Sequence, residues 1–291
     1  MRLLLLSILL IPFFGFCQAV KFRQYKEGEV LKYKLTSEVY RNDKFASKTV
    51  SVSQHTVVKD TDFLSEEINW PSKISYTIKD TVRMDAIAQK IEPYKISLSS
   101  RGKVLLPKLT IPEMSGEITD LNTFYVAIAP ALDAQKLSAK NKMFTSDKLR
   151  QGNFADSVEV LYGMDCLQVS QKLISTNKNY TVVETVFSPP PSLCLNPLLD
   201  TIHKKSFNEF NNIQFIRKSE GDKVNLFWGV ETFTITSKLS NENGQIIEAS
   251  MENVLNLKMR YNCSRDLKEC LAEMPVTIKR VLKLELLAAE K

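Results

Sequence analysis

The side chains best suited to catalysis are two histidines, His55 and His203, and the Ser-x-x-Lys spacing of Ser100 and Lys103. On a helix, that spacing places an amine within reach of a hydroxyl nucleophile. Here Gly102 interrupts it, and no Ser-Asp-Asn or Lys-Thr-Gly box follows in the sequence, so a polar turn is the favoured interpretation. Each histidine is interpreted as a surface or hydrogen-bonded residue, because spacing places no partner group beside it.

Carboxylates are numerous, but no motif pairs them. A carboxylate-based hydrolase would need two acids facing one cleft, roughly 5 to 9 Å apart. The sequence contains no EF-hand loop, and its nine glycines form no phosphate-binding loop, so neither a metal nor a cofactor is expected. Six acids are interpreted as loop or solvent-facing residues: Asp60, Asp62, Glu66, Glu67, Asp80 and Asp85.

Residues 1–19 have the layout of a secretory signal peptide: a positive start, an apolar run over residues 3–16, and small residues before a cleavage point after Ala19. The alternative is a lipoprotein signal with Cys17 lipidated. We favour cleavage after Ala19, because a bulky Phe16 stands directly before that cysteine. The run is short for a hydrocarbon core of about 30 Å. We therefore expect export to the periplasm or the extracellular space, with no transmembrane span after cleavage.

Four further cysteines follow in the second half of the chain. An even number in an exported chain predicts two disulfides. Three pairings are open, and we favour Cys263 with Cys270, which closes a short polar loop, and Cys166 with Cys194. A metal site is disfavoured, because the spacing lacks Cys-x-x-Cys and the histidines lie far away in sequence.

Composition and charge indicate an ordinary globular protein. The chain is 44% hydrophobic and 25% charged, with a net charge of +6. No run of five like charges occurs, so the lysines are interpreted as a solvated surface. Nucleic acid is not an expected partner of an exported chain with this charge pattern.

Alternating apolar and polar residues predict a mainly β fold. Residues 31–35, 74–78, 94–98, 224–228 and 255–261 show the period of two that is typical of antiparallel strands with one buried face. The prediction is a curved antiparallel sheet, half-barrel or sandwich-like, in two halves with one or two covering helices. The N-terminal half spans residues 20–146, and the disulfide-stapled C-terminal half spans residues 147–291.

Three local signals refine this fold. Apolar spacings of three and four over residues 117–135 predict an amphipathic helix that covers an open sheet face and that Pro130 ends or kinks. A weaker helical pattern occupies residues 195–210. Asn243 and Gly244 predict a β-hairpin with a type I′ turn.

The chain contains fifteen Phe and nine Tyr, more than one sheet face and one helix obviously bury. One interpretation is a groove between sheet and helix that takes an apolar ligand; the alternative is that these residues simply form the core. The groove would be lined by Tyr33, Tyr76, Phe124, Tyr125, Ile128 and Trp228.

Three short stretches carry a resemblance to known exported proteins. These are Glu-Gly-Glu-Val-Leu-Lys-Tyr at residues 27–33, Leu-Pro at 106–107, and Asn-Gly-Gln-Ile-Ile-Glu-Ala at 243–249. With the order of elements, they resemble bacterial periplasmic β-sheet proteins of the lipoprotein-carrier and sigma-factor-regulator type, and neighbouring uncharacterised exported families. The resemblance implies a curved half-barrel covered by helices, with an apolar face that holds lipid, and it assigns no site residue.

The function expected from these observations is an exported, non-enzymatic envelope protein that binds an apolar or amphiphilic ligand such as a lipid. One alternative is a structural or protein-interaction module that docks a partner in an envelope complex. The last is a hydrolase with an unrecognised carboxylate site. The expected partner is a hydrophobic small molecule or lipid, or an envelope protein for the first alternative.

Overall fold

The computed structural model describes residues 20–102, 104, 107, 109–134, 143–146, 169–187, 213–218, 221–264 and 269–288. The stretches of alternating apolar and polar residues form strands. Over the described ranges these are β1 (Val30–Arg41), β2 (Lys44–Asp60), β3 (Phe63–Thr77), β4 (Thr81–Arg83), β5 (Tyr94–Ile96), β6 (Met143–Ser146), β7 (Val169–Thr176), β8 (Tyr180–Phe187), β9 (Ile213–Lys218), β10 (Val224–Ser240), β11 (Ile246–Cys263) and β12 (Ala272–Leu286).

The strands form one large, curved, open antiparallel sheet, which confirms the predicted fold class. The order is β4-β3-β2-β1-β12-β11-β10-β8-β7-β6, with β5 paired to β3 and β9 paired to β10. The pairing of β1 with β12 places Leu35 opposite Leu284 and joins strands from the two ends of the chain. Sequence-distant strands therefore share one continuous face.

The two faces of the sheet differ in polarity. One face is buried and carries large apolar side chains such as Tyr33, Leu35, Ile235 and Leu284. The opposite face carries cross-strand ion pairs, including Lys34 with Glu285 at 2.8 Å. Exposed pairs of this kind stabilise a protein by only about 0–1 kcal/mol each, so burial of the apolar face dominates the packing free energy.

The described residues include two α-helices, the short α1 (Asp85–Ala88) and the longer α2 (Ser115–Ala134), and a 3-10 turn (Pro112–Met114) leads into α2. Helix α2 covers the buried face of the sheet, as the sequence predicted. Of the two effects predicted for Pro130, an end or a kink of the helix, the end is wrong, because α2 continues four residues beyond it. A proline removes one helical N–H and disturbs the preceding turn. In that turn the carbonyl of Ala127 accepts hydrogen bonds from the side chains of Gln171 and Thr185 on the sheet.

The prediction for Asn243 and Gly244 is confirmed for the hairpin and wrong for the turn type. The predicted hairpin at Asn243 and Gly244 joins β10 to β11, but the type I′ turn is wrong: Gly244 has φ 71°, whereas Asn243 does not have positive φ. A Cβ at Gly244 would lie 2.7 Å from the carbonyl oxygen of Phe22, so the N-terminal segment packs tightly on this turn. Two consecutive positive φ angles occur instead at Asn42 and Asp43, between β1 and β2.

The disulfide between Cys263 and Cys270 is confirmed. Cys166, Cys194, His203 and the weaker helical segment 195–210 lie outside the described residues. Ser100 lies in a turn closed by the amide of Gly102 donating to Ser99, in agreement with the polar-turn interpretation.

Candidate functional site

A buried polar cluster joins α2 to strands β2 and β3. Ser53 Oγ lies 2.9 Å from His55 Nε2, and His55 Nδ1 lies 2.6 Å from Glu66 Oε2. The hydroxyl of Tyr125 on α2 donates to the same Glu66 oxygen at 2.6 Å. None of these four residues is more than 2% exposed. The antiparallel register of β2 and β3 creates the cluster, because Val57 pairs with Glu66 and brings that carboxylate beside His55.

Glu66 is the charged centre of this cluster, and its interpretation as a solvent-facing acid is wrong. Burial acts to raise its pKa, but hydrogen bonds from His55 and Tyr125 and the nearby Arg23 charge outweigh burial and hold the pKa of Glu66 below its usual range. Arg23 Nε lies 3.9 Å from Glu66 Oε1, while Nη2 pairs with Glu29 at 2.6 Å. The cluster therefore holds an ionised carboxylate under α2.

Ser53, His55 and Glu66 follow the order of a nucleophile, a base and an orienting acid. A catalytic serine must contact its substrate, yet Ser53 and His55 have no exposed surface, and Tyr125 occupies the helix side of the cluster. In this conformation the cluster positions α2 on the sheet. It gives a substrate no approach through the described residues.

Two further ion pairs, one buried and one partly exposed, hold α2 on the sheet. Lys73 Nζ lies 2.8 Å from Glu117 and also donates to the carbonyl of Glu113. Asp120 pairs with Arg280 on β12. Burial raises the pKa of Asp120 to about 6, although the Arg280 charge opposes that shift. Helix α2 is thus linked to strands from both parts of the sheet.

A pocket of about 470 Å³ lies where β1 begins and β12 ends. Leu31 in its wall pairs with His55, and Leu286 pairs with Tyr33, so the pocket borders the polar cluster. Two polar residues, Lys32 and Gln245, join an otherwise apolar wall. The lining residues are Val30, Leu31, Lys32, Gln245, Leu286, Leu287 and Ala288.

Gln245 is the unusual member of this wall. It is 8% exposed, and its side-chain nitrogen is fully buried beside the Tyr33 phenol. Burial and the nearby Glu66 charge raise the pKa of the Tyr33 phenol, and a hydrogen bond from the Gln245 side chain opposes that rise.

The residues predicted to line a groove divide into three groups. Tyr33, Phe124, Tyr125 and Ile128 come together in the packed core between α2 and the sheet, each no more than 1% exposed. Tyr76 lies partly exposed on β3 beside the edge strand β4. The backbone of Trp228 lies in β10, and its side chain is outside the description. None of the six lines the pocket.

Sequence reasoning missed the pocket for a specific reason. The alternating patterns containing Leu31 and Leu286 were visible in the sequence, but their meeting depends on β1 pairing with β12. Over the described ranges, no three His, Cys, Asp or Glu side chains are grouped as metal ligands. No helix within those ranges has both the length and the hydropathy of a membrane-crossing segment.

Comparisons with known proteins give little support from sequence. No family profile matches the chain, and no curated protein sequence matches it. One similar solved structure is described as showing lipid–protein interactions in lipovitellin. Its sequence is 12% identical to this chain and its TM-score is 0.45. The alignment covers 92% of this chain and 26% of the lipovitellin chain. A DUF1329 family protein from Desulfovibrio piger is 8% identical, with a TM-score of 0.20, over 91% and 88% of the two chains. This chain thus spans about a quarter of the lipovitellin chain, and both TM-scores are too low to carry an argument about fold or ligand.

Proposed function

We propose that the protein is an exported, non-enzymatic envelope protein that binds an apolar or amphiphilic ligand in the pocket where β1 begins and β12 ends. The observation that carries this proposal is the pocket itself: about 470 Å³, with five apolar residues and only two polar ones in its wall. Ligand sites are commonly concave and mostly apolar, with a few polar groups that orient the ligand.

The pocket has an exposed rim and a partly buried wall, and this favours an amphiphile over a ligand that is apolar along its whole length. Val30 and Ala288 on its rim are exposed, whereas Leu31 and Leu286 deeper in the wall pack partly buried against the core. An alkyl chain placed against these leucines loses contact with water, which stabilises the complex by about 25 cal/mol per Å² of apolar surface buried. The polar end of the same molecule remains near the solvent-exposed rim.

A blocking variant tests the site. Ala288→Trp adds an indole at an exposed rim position just after β12, whereas Val281→Trp adds the same side chain at an exposed position within β12, away from the pocket wall. We expect a fluorescent fatty-acid analogue to bind the unmodified protein and Val281→Trp, and to bind Ala288→Trp at least about tenfold more weakly, a loss of about 1.4 kcal/mol. Equal binding by both variants, or no binding by the unmodified protein, would overturn the proposal.

A native mass measurement on the protein purified without detergent tests the same proposal independently. A bound amphiphile adds mass that organic extraction removes. Ala288→Trp purified in the same way should carry less of that added mass than Val281→Trp. Equal occupancy in the two variants would place the ligand elsewhere on the protein.

A further inference from the structure

We infer that helix α2 takes up a proton at Asp120 when it packs on the sheet, so that the helix covers the apolar face more firmly in a mildly acidic medium than at neutral pH. The inference goes beyond the proposed function, because it concerns the cover of the sheet rather than the pocket. It is drawn from the charged side chains that meet beneath the first two turns of α2.

Alternation along β12 and pairing across the sheet bring these charges together. Arg280 lies on the buried face of β12, two residues before Leu282, and forms the ion pair with Asp120. Opposite Arg280 on β11, Asn253 is 1% exposed and donates to Glu231 on β10 at 2.8 Å. The Glu231 carboxylate is therefore held on the face that α2 covers, and its charge acts on Asp120.

Carboxylates outnumber cations in this cluster. Glu117, one helical turn before Asp120, is already paired with Lys73 on β3 at 2.8 Å. Arg280 is left to balance both Asp120 and Glu231, so three carboxylates and two cations give these five side chains a net charge of −1 when all are ionised. The Asp120 side chain is only 5% exposed, so water screens the excess charge weakly and burial disfavours the ionised carboxyl. A single proton removes the imbalance.

The other groups that face α2 belong to different contacts. Strands β7 and β8 present the neutral side chains of Gln171 and Thr185 to the helix. Strands β2 and β3 and the N-terminal segment present the polar cluster at Tyr125, whose titratable and charged members are His55, Glu66 and Arg23. Glu113, in the 3-10 turn that leads into α2, is exposed, so solvent screens its charge. The proton on Asp120 is therefore governed by the charges beneath the first two turns of the helix.

Proton uptake gives the packing of α2 a pH dependence of definite sign. Burial raises the pKa of Asp120 to about 6 against the opposing Arg280 charge, whereas aspartate in an unfolded chain has a pKa of about 3.9. The raised pKa adds stability that is lost as the pH rises through about 6. Glu66 has the opposite sign, because its lowered pKa costs stability only as the pH falls through the ordinary glutamate range. Together the two carboxylates favour the packed helix most in a mildly acidic medium.

Urea unfolding at about pH 5 and about pH 7.5 measures this linkage. At the lower pH, Asp120 should reduce the unfolding equilibrium constant about tenfold, a change of about 1.4 kcal/mol. Asp120→Asn cannot take up the proton, so the ratio of its unfolding constants at the two pH values should be about tenfold smaller than that of the unmodified protein. Asp62→Asn, at an exposed turn between β2 and β3, is the matched control and should keep the unmodified ratio. Equal ratios for Asp120→Asn and the unmodified protein would overturn the inference.

A carboxyl NMR titration tests the same proton directly. The Asp120 signal, assigned by its absence in Asp120→Asn, should titrate with a midpoint near about pH 6. Glu231→Gln keeps the acceptor for Asn253 and removes one negative charge, so the midpoint should move to lower pH. Arg280→Gln removes the cation, so the midpoint should move to higher pH. A midpoint below about pH 4.5 in the unmodified protein would show that Asp120 takes up no proton on packing, and this result decides even if Asp120→Asn does not fold.

Hydrogen exchange assigns the effect to the helix. After correction for the intrinsic pH dependence of exchange, protection of the α2 amides in Asp62→Asn should rise about tenfold from about pH 7.5 to about pH 5, relative to Asp120→Asn. Equal changes in the two variants would contradict the inference. The three measurements use no ligand, so the inference and the proposed function stand or fail separately.

Discussion

At the scale of single residues, Glu66 is the feature around which the buried polar cluster is organised. Isolated carboxylates are seldom buried, because transfer from water costs several kcal/mol unless hydrogen bonds and opposite charge compensate. Here His55 and Tyr125 contact one carboxylate oxygen, and Arg23 approaches the other. The Tyr125 contact is the one that crosses from the sheet to α2, so it fixes the helix as well as the charge.

This arrangement predicts unequal effects for two similar mutations. Tyr125→Phe removes a hydroxyl that donates to an ionised carboxylate, a bond worth about 1.5–3 kcal/mol. Tyr33→Phe removes a hydroxyl that donates to the neutral carbonyl of Ile246 at 2.9 Å, worth about 0.5–1.5 kcal/mol. Both phenols are 1% exposed, which makes them a matched pair. Urea unfolding should show the larger loss for Tyr125→Phe, and an equal or larger loss for Tyr33→Phe would contradict this view of the cluster.

At the scale of elements, helix α2 is held at the Pro130 turn by two donors that share one acceptor. Gln171 and Thr185 lie opposite each other on β7 and β8, and both donate to the carbonyl of Ala127. Either donor alone satisfies that carbonyl. The two hydrogen bonds are therefore redundant. Redundancy can be measured, because the losses of unfolding free energy in the two single variants do not add up to the loss in the double variant.

A double-mutant cycle tests this redundancy. Gln171→Met and Thr185→Val each leave one donor, so each should cost about 1 kcal/mol or less. The double variant leaves the Ala127 carbonyl buried without either donor and should cost about 1–3 kcal/mol more than the sum of the singles. The free energies come from urea unfolding of the four proteins. Additive losses would mean that the carbonyl does not depend on these two side chains.

The sequence allowed prediction of those elements whose signals are local. The strands follow from alternation, and α2 follows from apolar spacing within one segment. The candidate sites depend on pairing across the chain, which a single sequence does not encode locally. Glu66 looked solvent-facing because its partners lie 11 and 59 residues away. Its neighbours Ile68 and Trp70 alternate with it on the buried face, and this was the signal that could have placed it inside.

The helix and the hairpin show the limits of local rules in more detail. Pro130 was expected to end or kink α2, and the helix continues past it, because packing of the helix on the sheet outweighs the loss of one backbone hydrogen bond. Asn243 and Gly244 mark a hairpin correctly, while contact with the N-terminal segment at Phe22 accompanies a turn of a different type. In both cases tertiary contacts decide between local conformations of similar free energy.

At the scale of the whole molecule, the pairing of β1 with β12 decides whether the two sequence halves unfold together. Residues 20–146 and 147–291 were predicted as two β-rich halves. In the structure Leu35 of β1 pairs with both Ser51 of β2 and Leu284 of β12. We call the line of pairing between β1 and β12 the seam. Helix α2 contacts strands on both sides of it. A continuous sheet under a shared helix should unfold as one cooperative unit.

Hydrogen exchange in low urea tests that cooperativity in a single sample. The most protected amides of β2 and of β10 should report the same free energy of unfolding, because both exchange only on global opening. Leu284→Ala leaves a cavity at the seam and should lower both values equally, by about 2–5 kcal/mol. Val281→Ala, at a 39% exposed position on the same strand, should change neither by more than about 0.5 kcal/mol. If Leu284→Ala lowers protection in β10 while β2 is unaffected, the halves fold as separate units, and the pocket at the start of β1 and the end of β12 forms only when those units dock.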